Sequence, residues 1–589
     1  MSKRFNVLTH SRPTAAVGFL ILTVSLMTVV TGSGKALAGN QPLLPHLDQA
    51  AGPEISGEGG GFVPPRFQTA HYADAVTANL RADKSLPASY DTRPLGWVTP
   101  VKNQGECGAC YAFSSAADLE SKIARSALGV TDLSENSMKE CHYQGSSCDG
   151  GNQYRIMHYL ATVGAVDETC DPYDPVDVTC TIGCIPQWAV LDFSTISGAT
   201  VPAAAVIKQY LLDYGPIHTT LFAGDDANPT WRNTISAYNG TGALYYTGTE
   251  TPNHSVVIVG WDDAIAHAGG TGAWIVKNSW GTSWGGACGY GSEGGYCYIA
   301  YGSASVGMYS SFVKALMPAD PDMDVLYHDE GGFTSAFGGV GLTLWGMEKF
   351  TAPAETKVHR VEFWTTDVTP DVDVFIYSTF SGGTLSNLVA SSVDHSFAEP
   401  GYHFVELAAP LNVGAGQTVY VAVQFQNGSY QYPLAADADG VTATDASYYS
   451  FNGSAWSTLE SYGVDGTIRI RTSTDAVLAV DDPSGGGDFV PDGNEVPREL
   501  AIDSAWPNPF NPTTNITYHL PRGGHVLVAV YDLKGRKVRT LVDGEQRAGS
   551  RTVLWDGRDD AGAGVSSGVY FCRVFAADRM RGIKLALLK

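Results

Sequence analysis

The sequence predicts a multidomain chain in which an α+β domain over residues 86–317 is followed by two all-β sandwich modules, over 322–474 and 500–589. Three observations predict it. At 589 residues the chain is too long for one hydrophobic core. Its 44% hydrophobic and 16% charged residues are a globular composition, and 67 glycines and 29 tyrosines lean toward β-rich, loop-rich modules. The local pattern also changes twice, at about residue 320 and again across a Gly- and Pro-rich stretch at 475–499.

In the first part, helical periods at Tyr111–Leu128, Asn152–Val163 and Ala203–Tyr214 mix with β-rich runs such as Val256–Trp261 and Trp274–Val276, an α+β signature. From about Val325 only short strands with turns between them are expected, at Val358–Thr366, Val372–Thr379, Gly401–Leu407 and Thr418–Gln426. Residues 475–499, with Pro483-Ser484-Gly485-Gly486-Gly487, read as a linker. Beyond it, strands are expected near Thr514–His519, Val526–Asp532, Ser550–Trp555 and Gly568–Phe575.

The N-terminal residues read as an export signal. Lys3, Arg4 and Arg12 precede a mostly apolar run from Ala15 to Val30, and Ala36-Leu37-Ala38 has the small-x-small form of a cleavage site, so residues 1–38 are expected to be removed. Residues 39–85, which include Gly57-Glu58-Gly59-Gly60-Gly61, read as a short propeptide or linker. A net charge of −24 argues against a nucleic-acid partner, which needs clustered Lys and Arg. Export places the cysteines in an oxidising compartment, where thiols pair.

The chemistry concentrates in Gln104-Gly105-Glu106-Cys107-Gly108-Ala109-Cys110-Tyr111-Ala112-Phe113, which sets Cys110 at the start of an amphipathic helix. The positive end of a helix favours a thiolate. A nucleophile also needs a base, an orienter for the base, and donors for the oxyanion. His254 precedes the apolar run Ser255–Trp261, and Asn278 follows the run Ala273–Lys277. Antiparallel pairing of these runs across Asp262–Gly272 would make His254 and Asn278 neighbours. The Asn278 amide would then fix the imidazole tautomer and leave the other ring nitrogen for Cys110. Trp280 and Trp284 follow closely enough to shield that hydrogen bond. Gln104, six residues before Cys110, is placed to donate to an oxyanion together with the Cys110 backbone N–H. No other histidine among His142, His158, His218 and His267 begins a strand followed by an Asn-Ser-Trp run, so these are expected to be structural or solvent-facing.

The Cys-Gly-Ala-Cys-Tyr run resembles the signature of the papain and cathepsin family of cysteine peptidases. The resemblance extends through Leu86-Pro87-Ala88-Ser89-Tyr90-Asp91, Val98 to Gln104, Leu133-Ser134-Glu135, Cys148-Asp149-Gly150-Gly151, His254 and Asn278-Ser279-Trp280-Gly281. It implies an α+β papain-like catalytic domain, with a helical and a β-rich subdomain, that hydrolyses peptide bonds of extracellular proteins. Cys110, His254 and Asn278 would form the triad and Gln104 would serve the oxyanion. It also implies bridges Cys107–Cys148 and Cys141–Cys180; of the ten cysteines, locality then suggests Cys170–Cys184 and Cys288–Cys297, with Cys572 a buried free thiol. The spacings lack the two paired Cys-x-x-Cys knuckles of a structural zinc site, and no cofactor is implied. Tyr111 stands where most relatives have Trp, and Asn152-Gln153 replace an aromatic and a proline, which leaves the side-chain preference open. The Asn253-His254-Ser255 sequon laid over the site agrees with a host that does not glycosylate such sequons.

Phe350-Thr351-Ala352 and Val361-Glu362-Phe363-Trp364-Thr365 resemble the lectin-like sandwich that follows the peptidase in some secreted microbial relatives. Trp345, Trp364 and Trp456 are candidates for stacking on sugars, with core packing the commoner use. A surface adhesive or glycan-binding protein carrying a peptidase-like domain is therefore the alternative reading. The acidic clusters Asp320–Asp324 and Asp488–Glu495 read as solvated charge rather than calcium sites. Trp506-Pro507-Asn508-Pro509-Phe510, Val530 to Arg536 and Ser567-Gly568-Val569-Tyr570-Phe571 resemble the immunoglobulin-like sorting domain of bacterial type IX secretion cargo. That resemblance implies an outer-membrane secretion partner and a route to the medium or cell surface through the periplasm.

Overall fold

The computed structural model describes residues 46–48, 61–78 and 85–473, apart from 144, 146 and 321, and eight stretches of the C-terminal region between 501 and 587. The expected signal segment and the linker at 475–499 lie outside the described residues, as does the acidic cluster at Asp488–Glu495.

The helix Cys110–Arg125 buries Ala112, Ala116, Leu119 and Ile123, a stripe at helical spacing that faces Tyr154, Ile156 and Leu160 of the helix Gln153–Thr162. Asn152 caps the second helix, its side chain accepting from the backbone N–H of Tyr154 and Arg155. The short helices Glu135–Glu140 and Pro229–Ser236 add to those expected from the sequence.

A twelve-stranded sheet forms the spine. Its order runs Met323–Leu326, Arg469–Ser473, Thr356–Thr365, Gly401–Val413, Trp188–Thr195, Met308–Pro318, Ile217–Leu221, His254–His267, Gly270–Lys277, Tyr296–Ala300, Ala243–Leu244, with Ser89–Asp91 paired to the His254 strand. The sheet therefore does not stop where the sequence pattern changes. Gly401 pairs with Ser194 and Tyr402 with Phe193, so strands from the two sides of residue 320 are hydrogen-bonded neighbours. The core crosses the same line, because Phe333, Trp364 and Tyr402 pack with Tyr154, Leu160 and Phe193.

The expected sandwich closes over that edge. A six-stranded sheet, Thr384–Phe397, Thr369–Ser381, Thr418–Gln426, Thr343–Thr351, Ser447–Ser450 and Ser457–Thr458, buries Val372, Val374, Ile376, Val419, Val421 and Val423 against Val358, Val361 and Phe363 of the spine. Trp364, singled out for sugar stacking, is fully buried in the shared core, whereas Trp345 and Trp456 are half-buried on the outer face with Tyr377 and Tyr420. Alternation along the strand decides this: Trp364 is one residue out of phase with Phe363, so it faces the other side of the sheet.

Charged groups are paired across this junction. Arg469, fully buried, donates to Asp329 and at 2.6 Å to Nδ1 of His158, on the helix Gln153–Thr162. Arg471 bonds the Ala161 carbonyl at 2.7 Å, His403 faces Asp192 at 3.1 Å, and Lys314 reaches Glu399 at 3.2 Å. The C-terminal region is all β: a three-stranded sheet of Ala501–Trp506, Thr514–Leu520 and Gly549–Trp555, and a four-stranded sheet of Lys537–Gln546, Gly524–Tyr531, Gly568–Ala576 and Arg579–Leu587. Cys572 is buried there in an apolar cluster with Val528, Val530 and Val574.

Candidate active site

Cys110 is the first residue of its helix and fully buried. The loop before it is held by the bridge Cys107–Cys148 and by the Gly108 N–H donating to the Cys148 carbonyl at 3.2 Å. The strands His254–His267 and Gly270–Lys277 form an antiparallel hairpin in which Val257 opposes Lys277. The pairing extends further than the sequence suggested, through His267 and Gly270, so the connection is shorter than Asp262–Gly272. The arrangement brings His254 Nε2 to 2.7 Å from Asn278 Oδ1. The next residue, Ser255, donates its backbone N–H to Cys110 Sγ at 3.3 Å, which sets the start of the His254 strand against the thiol. The Asn278 amide oxygen also accepts from the Ser279 N–H at 2.8 Å, fixing the amide that faces the imidazole.

Trp280 lies over the His254 ring with centroids 4.8 Å apart, and Trp284 meets Trp280 edge-on at 5.1 Å. Gln104 is buried and clamped at both ends of its amide: Oε1 accepts from Ser279 Oγ at 2.6 Å, and Nε2 donates to the Cys107 carbonyl at 2.8 Å. One residue run, Asn278-Ser279-Trp280, thus holds the imidazole, locks the glutamine and covers the ring. A cavity of about 20 Å³, room for one water, lies behind it, bordered by Ser255, Asn278, Lys277, Glu120 and Glu135. Burial pushes the Glu135 carboxyl up, opposed by the neighbouring Lys102.

The chain's own N-terminal segment crosses this site. The Phe62 N–H donates to the Asn253 carbonyl at 3.1 Å, the Val63 N–H to the Gly151 carbonyl at 2.8 Å, and the Gly151 N–H to the Gly61 carbonyl at 2.9 Å. Phe62 and Gly151 are paired in parallel, and the Phe62 ring packs on Cys110, Met308 and Tyr309. Only glycine fits at 61: its φ is +91°, and a Cβ there would lie 2.0 Å from the Gly108 carbonyl oxygen. The sequence left residues 39–85 open as a short propeptide or linker, and the covering contacts of Phe62 are not legible in it. Burial pushes the Cys110 thiol up to about 12, opposed by the N–H groups of Ser255 and Tyr111.

The structure contains the bridges Cys107–Cys148, Cys141–Cys180 and Cys170–Cys184. The pairing of Cys288 with Cys297 is not formed, and both thiols are free and buried. Strand alternation accounts for the difference. Cys297 points into the core with Val276, Ile299 and Trp284, whereas Cys288 packs with Tyr296 and Ile275 on the opposite side of the Tyr296–Ala300 strand. Among the other histidines, His158 pairs with Arg469, His218 is fully buried with its pKa lowered by burial to about 4, and His142 is buried beside Tyr111.

Residues 86–315 match the family model described as papain family cysteine protease, residues 325–473 that of a lectin like domain, and residues 511–579 that of a FlgD Ig-like domain. Human cathepsin L2 is 31% identical over 206 residues, covering 34% of this chain and 58% of the relative. The viral cathepsin of Choristoneura fumiferana defective polyhedrosis virus is 30% identical over 220 residues, covering 37% and 63%. The chain thus spans about three-fifths of the length of these curated relatives. In fold, the chain is similar to the cysteine protease and lectin-like domains of Cwp84, a surface layer associated protein of Clostridium difficile, with a TM-score of 0.57 and 20% identity over 70% of this chain and 93% of that one. Sequence and fold agree on a papain-like cysteine protease domain at residues 86–315, joined to a lectin-like domain and followed by an Ig-like one.

Proposed function

We propose that the protein is a secreted cysteine endopeptidase that hydrolyses peptide bonds of proteins outside the cell. The observation that carries this reading is the 2.7 Å contact of His254 with Asn278 at the head of the strand whose next N–H meets the Cys110 sulfur. His254 takes the thiol proton, and the Cys110 sulfur attacks the substrate carbonyl carbon. The Gln104 Nε2 and the Cys110 backbone N–H stabilise the oxyanion, with one such donor contributing about 3 kcal/mol. The amine leaves with the proton from His254, and water, deprotonated by the same imidazole, releases the acyl group and restores the thiol. Asn278 holds the ring in the tautomer these transfers need. An internal stretch of chain, Gly61–Val63, pairs with Asn253 and Gly151 along the cleft, which supports endo rather than exo action. Turnover of an internally quenched peptide by protein freed of residues 39–85 is the direct test, and no turnover would refute the reading.

The same segment makes the unprocessed chain a covered precursor. Burial under the segment raises the pKa of the Cys110 thiol and so disfavours its thiolate. Removing residues 39–85 takes Phe62 off the sulfur and lowers the burial penalty. Alkylation of Cys110 by iodoacetamide at pH 7 is therefore expected to accelerate more than about tenfold, read by peptide mass mapping. An unchanged rate would mean that the segment does not cover the nucleophile.

Export by the N-terminal signal, and sorting to the surface or medium through residues 500–589, completes the reading. It is supported by the resemblance of the motifs at Trp506–Phe510 and Ser567–Phe571 to sorting domains, by the Ig-like match of residues 511–579, and by the surface-layer association of the Cwp84 neighbour. In a bacterial host with the matching secretion system, deletion of 500–589 should leave peptide hydrolysis intact and hold the protein in the periplasm. Fractionation checks this, and release to the medium at the full-length level would refute the sorting role. A second reading, glycan or surface binding by the lectin-like region, is favoured by the half-buried rings of Trp345, Tyr377, Tyr420 and Trp456 on one outer sheet face.

A further inference from the structure

On both sides of the cleft crossing, the segment that covers the nucleophile is held in part by the lectin-like domain. His46 and Leu47 pair antiparallel with Gly338 and Phe337, adding a strand to the edge Ser335–Gly338, and the Asp48 N–H continues the ladder to the Ala336 carbonyl at 2.8 Å. His46 Nε2 is 2.7 Å from the Tyr432 hydroxyl, and Asp48 accepts from the Tyr430 hydroxyl. After the cleft crossing, Phe67 stacks on Phe333 with centroids 3.8 Å apart. His71 stacks on Tyr430 at 4.1 Å while its Nε2 bonds the Thr366 carbonyl at 2.9 Å. Arg66 pairs with Asp439 at 3.1 Å. The domain thus offers an open strand edge, two ring platforms and a hydroxyl pair, continuous with Gly151 and the cleft of the protease domain.

We propose that this strip, once the segment has been removed, is a binding site for an extended stretch of the polypeptide substrate, seated beside the bond that Cys110 cleaves. The inference rests on the peptidase reading above. The ligand is polypeptide and not glycan, because the strip recognises its occupant by a backbone ladder along an edge strand together with ring stacking and a carboxylate on tyrosine hydroxyls. The edge carries main-chain affinity independent of sequence, and Tyr430 and Phe333 select an aromatic or imidazole ring. The chain's own segment meets both requirements with His46–Asp48, Phe67 and His71. Two linked contacts, strip and cleft, raise the effective concentration of a long substrate at the nucleophile, a gain that a peptide too short to reach the strip does not receive.

The test compares two substrates with processed, full-length enzyme from which mass spectrometry shows residues 46–78 to be gone. In Tyr430→Ala and Tyr432→Ala, kcat/KM for an unfolded protein substrate such as reduced, alkylated casein should fall about five- to tenfold through KM, while a blocked fluorogenic dipeptide is turned over as by wild type. Tyr430→Phe, which keeps the ring, should recover most of the loss. A fluorescent peptide of residues 64–78, which omits the cleft-crossing residues, should bind wild type and bind Tyr430→Ala at least fivefold more weakly. Equal losses on both substrates, no loss on either, or no binding of the peptide would overturn the proposal, as would finding residues 46–78 still seated on the active enzyme. Failure of wild type to turn over the dipeptide would instead refute the peptidase reading, and the peptide-binding measurement would still decide the strip.

Discussion

Cys110→Ser is expected to lower turnover of a fluorogenic peptide by at least about 10⁴-fold with the fold intact. An alcohol beside His254 has an acidity far from that of the imidazole, so the proton transfer that makes a thiolate available has no equivalent. The replaced sulfur packs with Phe62, Met308 and Tyr309 and accepts the Ser255 backbone N–H, contacts that a hydroxyl of slightly smaller size keeps in kind. The comparison requires residues 39–85 to be removed from both proteins by the same added protease, since the variant cannot process itself. Circular dichroism should give melting curves that overlay within a few degrees. Retention of wild-type turnover would remove Cys110 from the chemistry altogether.

Deleting residues 322–474 is expected to abolish soluble, cooperatively folding protease, although no catalytic residue is touched. The cut strips Gly401–Val413 from Trp188–Thr195 and leaves that strand as an open edge. It takes Phe333, Trp364 and Tyr402 out of a core shared with Tyr154 and Phe193. It also removes His403 from Asp192 and Glu399 from Lys314; losing one partner of a buried pair costs about 3–5 kcal/mol, a large fraction of a domain's stability. Asp192 lies below the ordinary carboxylate range, although burial pushes it up, because His403 and Lys314 stand beside it. Its stabilising contribution is therefore present above the unfolded carboxylate pKa and fades as pH falls. Soluble yield and a thermal melt of the truncated chain are the measurement. A monomer that melts like the full-length protein would make the junction incidental.

These interactions also explain which parts of the molecule were legible in the sequence. The helix at Cys110 and the strands flanking His254 and Asn278 announce themselves because their apolar residues follow one local period, and the hydrogen-bonded ends carry chemistry that packing alone does not call for. The strand Trp188–Thr195 does not. It is buried on both faces, and its polar members Asp192 and Ser194 look like surface positions until His403 and the pairing with Gly401 are in place. Its partner lies far along the chain, beyond the reach of any local pattern. The glycines at 59–61 were ambiguous for a related reason. A run that avoids side chains reads as a flexible connection, and here the backbone at Gly61 approaches Gly108 too closely for a Cβ. Cys288 and Cys297 are close in sequence, but closeness says nothing of which face of a strand each thiol occupies.

The pairing of Gly401 with Ser194 bears on how such a chain can be inherited. A recombination event between the codons for Pro318 and Gly401 would hand one descendant a sheet lacking its neighbour and the other a neighbour lacking its sheet. Exchange in the stretch 475–499 breaks no strand pairing between the described sheets on its two sides. Shuffling should therefore treat residues 46–473 as one cassette and the C-terminal region as a separate, swappable piece. Among related genes, the protease and lectin-like regions of this junction should share a common descent, while the module attached after them varies independently.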